Sequence, residues 1–233
     1  IIRGSLVRAQ VGPQTSQNIC EVFSFIFIVM MATKNIIFDL GGVLIDIDTG
    51  KTNEAFAKLG VPGFNNNYSL QRADTLFDDL EKGKTTEAGF YEGIRKISGV
   101  PLPDSDIRTA WNALLLSFRE ESLECLDRLK DKYNLFLLSN TNSIHYKAFH
   151  QNFIMQTGKK NFDDYFAKAY YSHLVGFRKP DKEIYSHALR NAGIRAEETL
   201  FVDDLLKNVE AASALGIKTY HLQPHERIED LEW

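Results

Sequence analysis

Cysteine is scarce. Cys20 and Cys125 are the only two in 233 residues, and neither belongs to a C-x-x-C pair. That argues against a disulfide framework and a thiolate zinc site, and it suits a reducing, cytoplasmic setting. A surplus of positive charge is also missing: 27 lysines and arginines face 31 acids, for a net charge of −4. The balance does not lead one to expect the broad basic surface of a nucleic-acid binder, and it leaves a local patch open. No apolar run reaches the roughly 20 residues that a membrane span needs, and "VFSFIFIVMMA", residues 22–32, stops well short. The six histidines show no metal-ligand spacing, and there is neither an internal repeat nor a low-complexity tract. Oligomeric state leaves no mark in the sequence.

Residues 1–33 read as foreign to the rest of the chain. Arg3 and Arg8 ahead of an apolar stretch suit a targeting segment, but no A-x-A site comes after it and a strand begins at once. The favoured reading is an extension outside the fold, upstream of a start at Met30 or Met31.

From Lys34 onward the pattern is α/β. Short runs that are mostly apolar recur at 35–40, 134–139, 166–172, 199–204 and 217–222, as expected of strands covered on both faces of a parallel sheet. Helical patterns separate the later strands. "DKEIYSHALRNAG" follows Pro180 and stops at Gly193, and "LKNVEAASALG" stops at Gly216. Between the first two runs lie long helical stretches, among them "TNEAFAKLG", "LQRADTLFDDLEKG", "TTEAGFYEGIRKISG" with Thr85 or Thr86 as N-cap, and "SDIRTAWNALLLSFREESLECLDRLKDKY". A simple βα connection does not need so much chain. The expected organisation is a doubly wound parallel sheet built from 34–48 and 118–233, with an inserted helical domain at 49–117.

Ligands of open α/β sheets sit beyond the carboxyl ends of the strands. The residues found there are Asp39; Ser139 followed by Asn140 and Thr141; Lys179 within "GFRKPD"; and Asp203 and Asp204. Carboxylates from different strands suit a hard cation with oxygen ligands, most simply Mg²⁺. A lysine and a serine with free backbone N–H groups suit a phosphate, and a carboxylate beside both is a nucleophile toward phosphorus. Phosphoryl transfer through an aspartyl-phosphate is the reaction class implied.

These four segments resemble, in order, the four signature motifs of the haloacid dehalogenase-like (HAD) hydrolase superfamily, from about Lys34 to the end of the chain. The resemblance implies that Asp39 in "FDLGGVL" is the nucleophile and a metal ligand, with the Gly41 carbonyl a second ligand. Ser139 in "LLSN" would hold the transferring phosphoryl group, with Asn140 beside it at the substrate. Lys179 in "RKP" would neutralise charge on nucleophile and phosphate. In "FVDDLLKN", Asp204 would bind Mg²⁺ directly, with Asp203 beside or behind it. The helical insert matches the family's cap, which closes over the site and selects substrate. "LLSNTNSIH", "GFRKPDKEIY" and "EKGKTT" look more narrowly like the branch containing an α-glucose-1-phosphate phosphatase.

One departure stands out. Most family phosphatases carry a second aspartate two residues after the nucleophile as general acid and base; here that residue is Gly41. Three readings are open: a phosphatase of a small phosphorylated metabolite, sugar phosphates included, that takes its acid from elsewhere or prefers an easily departing leaving group; a 2-haloacid dehalogenase; or a non-catalytic scaffold binding a phosphorylated ligand. The acid pair at 203–204 favours the first, since a dehalogenase has no use for a metal. Plainer roles compete at single positions. Asp39 suits a turn, Ser139–Thr141 a helix cap, and Lys179 a solvated surface. Asp203 and Asp204 suit the start of a helix, where acids are favoured. Asn208 and His145 are either near the site or structural. The charged run from Asp78 to Lys84 reads as a solvated face, and Trp111 with "ALLLSF" as core.

Overall fold

The computed structural model describes residues 33–61, 64 and 72–233, so the expected N-terminal extension lies outside the described residues, Thr33 excepted. Among these residues the strands are β1 (Asn35–Phe38), β2 (Ile45–Ile47), β3 (Leu115–Phe118), β4 (Asn134–Ser139), β5 (Lys168–Tyr171), β6 (Thr199–Asp203) and β7 (Lys218–His221). The helices are α1 (Thr49–Lys58), α2 (Arg72–Glu81), α3 (Glu87–Ser98), α4 (Asp104–Asn112), α5 (Glu120–Leu129), α6 (Ser143–Thr157), α7 (Ser172–Val175), α8 (Lys182–Ala192) and α9 (Leu206–Ser213).

Five strands form one parallel sheet in the order β5-β4-β1-β6-β7. Their side chains alternate between two cores. Ile36, Phe38, Leu135, Leu137, Leu200 and Val202 face a cluster completed by α5 and α6 through Leu126, Phe149 and Phe153. Ile37, Phe136, Leu138 and Phe201 face the opposite cluster, where Ile184, Tyr185 and Ala188 of α8 and Ala212 of α9 pack. Helices thus cover both faces, which is why the strands read as nearly unbroken apolar runs. The chain steps outward from β1 through β4 to β5, then returns to β6 on β1's other side, which places a ligand crevice at the carboxyl end of β1.

Helices α1–α4 have a core of their own around Phe56, Phe64, Leu80, Phe90, Ile94 and Ile107, joined by Ile144 of α6. Aromatic rings fill it: Phe56 stacks on Phe64 at 3.8 Å and Phe77 on Trp111 at 5.3 Å between centroids. The Thr86 hydroxyl caps α3 by accepting from the Gly89 N–H at 3.1 Å, and Gly99 ends that helix with φ 68°.

Two expectations need correction. The stretch from Ser105 to Tyr133 is not a continuous helical run, because Leu115–Phe118 forms β3, antiparallel to β2. Pairing with Ile45–Ile47 overrides the local helical preference, and the Gln156 amide takes up the main chain of Phe118. It donates to Phe118 O at 2.8 Å and accepts from Phe118 N at 2.9 Å. Helix α9 also ends at Ser213 rather than running to Gly216, since Leu215 N bonds to Ala212 O and Gly216 N to Ser213 O, a tightened last turn.

Candidate active site

Every strand-end residue singled out from the sequence sits at the carboxyl edge of the sheet or in a loop leaving it. Asp39 directly follows β1, and its N–H donates to Val202 O of β6 at 2.9 Å. Asp203 is the last residue of β6. One carboxylate oxygen from each of Asp39, Asp203 and Asp204 lies within 4.8 Å of the other two. Between two of them stands Lys179, 1 % exposed, with Nζ 2.7 Å from Asp39 Oδ1 and 2.7 Å from Asp203 Oδ2.

The two acids of β6 and its loop are not equivalent. Both Asp203 oxygens are occupied: Oδ1 accepts from Leu205 N at 2.8 Å and Asn208 Nδ2 at 3.0 Å, and Oδ2 from Lys179 Nζ and from the same amide group at 3.0 Å. Asn208 is buried and turned inward, not toward solvent. Among the described residues the half-buried Asp204 carboxylate makes no ion pair and no hydrogen bond to another side chain, while the Asp204 carbonyl accepts from His221 Nε2 at 3.0 Å. Asp204 instead lies against Gly42, whose φ of 74° and missing side chain let the turn approach; a Cβ at residue 42 would strike the Asp204 carboxylate.

Charge sets the protonation state. Burial pushes the Asp39 carboxyl up to about 7; Lys179 opposes this, and Asp203 and Asp204 add to it. Burial, then Asp203, also raises Asp204. Burial alone would pull the Lys179 ammonium down, but Asp203 and Asp39 outweigh it and hold the lysine above its ordinary value. Three carboxylates against one ammonium is a deficit of positive charge in a poorly solvated place. The turn after Asp39 offers one more oxygen: among the described residues the Gly41 carbonyl accepts no hydrogen bond, although Leu40 O accepts three and Ile45 O takes the Gly42 N–H. Hard oxygen donors with unmet negative charge fit a divalent cation such as Mg²⁺.

Ser139 ends β4, is 2 % exposed, and among the described residues its hydroxyl makes only a long 3.5 Å contact to Asn140 O. The side-chain amide of Asn140, expected at the substrate, is spent elsewhere. Nδ2 donates to Lys179 O at 2.8 Å and Oδ1 accepts from Lys179 N at 2.8 Å, so Asn140 grips the main chain of the lysine. Thr141 is buried and exchanges backbone bonds with the Ser172 hydroxyl at 2.9 and 2.8 Å. None of Ser139, Asn140 and Thr141 caps α6; Asn142 does, its Oδ1 accepting from Ile144 N and His145 N.

His145 serves the insert instead. Its ring contacts Asn142 Nδ2 at 3.0 Å and Trp111 O at 3.1 Å, and stacks on Trp111 at 4.9 Å. Burial holds it down at about 4, so it is neutral at pH 7. The charged run from Asp78 to Lys84 is not simply a solvated face. Arg178, next to Lys179, pairs with Asp78 and with Glu81 at 3.0 Å, while Lys82 reaches Asp181 at 3.3 Å. Helix α2 is thereby fastened to the loop that carries Lys179. The sequence signal for this was opposite charge in two segments 100 residues apart, which no local period reveals.

No helix among the described residues is long and apolar enough to cross a membrane. The family model for haloacid dehalogenase-like hydrolases matches residues 33–216. A D-ribitol-5-phosphate phosphatase of Bacteroides thetaiotaomicron is 34% identical over 190 residues, 80% of this chain and 90% of its own length. A sesquiterpene phosphatase of Aspergillus oryzae is 32% identical over 197 residues, covering 81% and 89%. The solved structure of a wild-type HAD family enzyme of B. thetaiotaomicron, in complex with magnesium and inorganic phosphate, superposes with a TM-score of 0.75 at 36% identity, covering 84% of this chain and 97% of that one. The chain therefore belongs to the haloacid dehalogenase-like hydrolases.

Proposed function

We propose that this protein is a Mg²⁺-dependent phosphatase of a small phosphorylated metabolite, working through an aspartyl-phosphate on Asp39. The observation that carries the reading is the buried ammonium of Lys179 shared at 2.7 Å by Asp39 and Asp203, with Asp204 in the same cluster. Asp39 and Asp204 with the Gly41 carbonyl would hold the cation, and Asp203 would stand behind them fixing Lys179. When bound, the cation supplies the positive charge that keeps Asp39 ionised and steadies the phosphoryl oxygens. Asp39 attacks phosphorus, and Lys179 and the Ser139 hydroxyl balance charge on the transferring group. Water then hydrolyses the acyl phosphate. Position 41 carries no acid, so the leaving oxygen takes its proton from another source than in most family phosphatases. Asn140 acts on the reaction through Lys179, whose main chain it holds.

Helices α1–α4 serve as the cap, and the pairs Arg178–Asp78, Arg178–Glu81 and Lys82–Asp181 keep it seated beside Lys179. Two relatives are a D-ribitol-5-phosphate phosphatase and a sesquiterpene phosphatase; in this reading the cap residues select among such substrates. Two cysteines, with Cys125 a buried free thiol, agree with a cytoplasmic enzyme.

The test is phosphate release from a panel of polyol, sugar and isoprenoid phosphates, with Mg²⁺ or with a chelator, beside halide release from 2-haloacids. Mg²⁺-dependent phosphate release that vanishes in Asp39→Asn is expected. Metal-independent halide release would overturn the proposal in favour of a dehalogenase, and ligand binding without turnover in favour of a scaffold.

A further inference from the structure

The turn after Asp39 is held from outside by one residue, through its side chain and its backbone N–H. Within Leu40–Ile45 the N–H groups are largely satisfied locally: Val43, Leu44 and Ile45 all donate to Leu40 O, and Gly42 donates to Ile45 O at 2.9 Å. The carbonyls are another matter. Those of Gly42 and Val43 both accept from Arg119 Nη1, at 3.0 and 2.9 Å, and that of Leu44 accepts from the Arg119 backbone N–H at 3.2 Å. Three successive carbonyls thus end on one residue, and the Gly41 carbonyl just before them is the one left without a donor among the described residues. The guanidinium is itself fixed: Nε donates to Asp46 Oδ1 at 2.7 Å and Nη2 lies 2.6 Å from the same oxygen, with the side chain 10 % exposed. Arg119 directly follows β3, where the chain returns from the cap, whereas Gly42 and Val43 precede β2, where it departs.

We infer that Arg119 is a positioning residue for the metal site: by taking the carbonyls of Gly42, Val43 and Leu44 it sets the turn so that the Gly41 carbonyl stays free and directed, and it ties that turn to the point where the cap rejoins the core. This rests on the proposed Mg²⁺ site. A planar fork with several donors is suited to the task, and a lysine's single ammonium is not. Losing a group hydrogen-bonded to a metal ligand weakens metal binding by about 10- to 100-fold; Arg119 bonds the carbonyls next to the ligand, which puts its loss at the lower end of that range.

The experiment is Mg²⁺ titration by calorimetry on the full chain, without substrate, for wild type, Arg119→Met, Arg119→Lys and Asp46→Asn, with circular dichroism confirming the fold. Arg119→Met is expected to weaken Mg²⁺ binding at least about tenfold, Arg119→Lys to recover part of it, and Asp46→Asn to lose less. At saturating Mg²⁺, kcat of Arg119→Lys should return toward wild type with KM for the organic substrate little changed, which a general loss of structure would not produce. Wild-type Mg²⁺ affinity in folded Arg119→Lys and Asp46→Asn would overturn the role of Arg119 while leaving the metal site standing. A wild-type protein that binds no Mg²⁺ would overturn both.

Discussion

Without metal, the Asp39 carboxyl should make this protein less stable as pH rises. Its folded pKa is about 7 against an ordinary 3.8. A carboxyl raised on folding binds its proton more tightly in the native state, so its stabilisation is complete below pH ~4 and lost as pH climbs through 7. Three units at about 1.4 kcal/mol each give about 4 kcal/mol in all, of which about 3 kcal/mol falls between pH 5 and 8. Other groups also shift on folding: burial raises Glu81, and it lowers His145 to about 4, which has the opposite sign toward acid pH. The useful quantity is therefore the difference between wild type and Asp39→Asn, which cannot ionise. Urea unfolding of both proteins in chelator at pH 5, 6, 7 and 8 should show that difference moving by about 3 kcal/mol against the wild type, most steeply at the acid end of this range and levelling off above pH 7. Added Mg²⁺ should stabilise the wild type far more at pH 8 than at pH 5. A difference that stays flat across this range would mean that Asp39 is ionised throughout and that the cluster does not crowd its charge as described.

Three further outcomes are expected. Asn140→Ala removes both bonds to the Lys179 main chain, so kcat should fall while KM moves little, at a stability cost of about 1–3 kcal/mol; a change confined to KM would return Asn140 to the substrate. Gly42→Ala places a methyl against Asp204 at φ 74°, and direct Mg²⁺ titration should show affinity sharply reduced. Arg178→Ala should cost under about 1 kcal/mol, because its partners are partly exposed, yet amide exchange in α2 should quicken markedly; unchanged exchange would show that the ion pairs do not hold the helix.

Much of the site was legible because its residues end apolar strands. Asp39, Ser139 and Asp203 each close a run that has to be buried, and the sheet's parallel pairing does the rest. Asn140 was visible as a residue but not in its task, because its partners are main-chain atoms 39 positions away. Arg119 carried no signal for the same reason: it meets carbonyls 76 and 77 positions earlier, and main-chain atoms are common to every residue type. The β2–β3 pair was missed because three or four residues are too few to establish a period, and "ALLLSF" is as apolar as a buried helix segment. For His145 the sequence leaves two roles open, near the site or structural, and the bond to Trp111 O on α4 selects the second through a contact that depends on how the insert sits against α6.

That β2–β3 pair also has a consequence for how the chain tolerates change. Asp48 N donates to Leu114 O at 2.9 Å, so the excursion leaves and re-enters the sheet domain at hydrogen-bonded neighbours. Once those ends are joined, the entropy of closing the intervening segment grows only with the logarithm of its length, about 0.6 kcal/mol per doubling. To the parallel sheet, a long helical insert and a short turn therefore present nearly the same boundary. On chain entropy alone the segment can lengthen or shorten while the carboxyl edge keeps its register; what fixes it in place are its contacts to Arg178 and to α6.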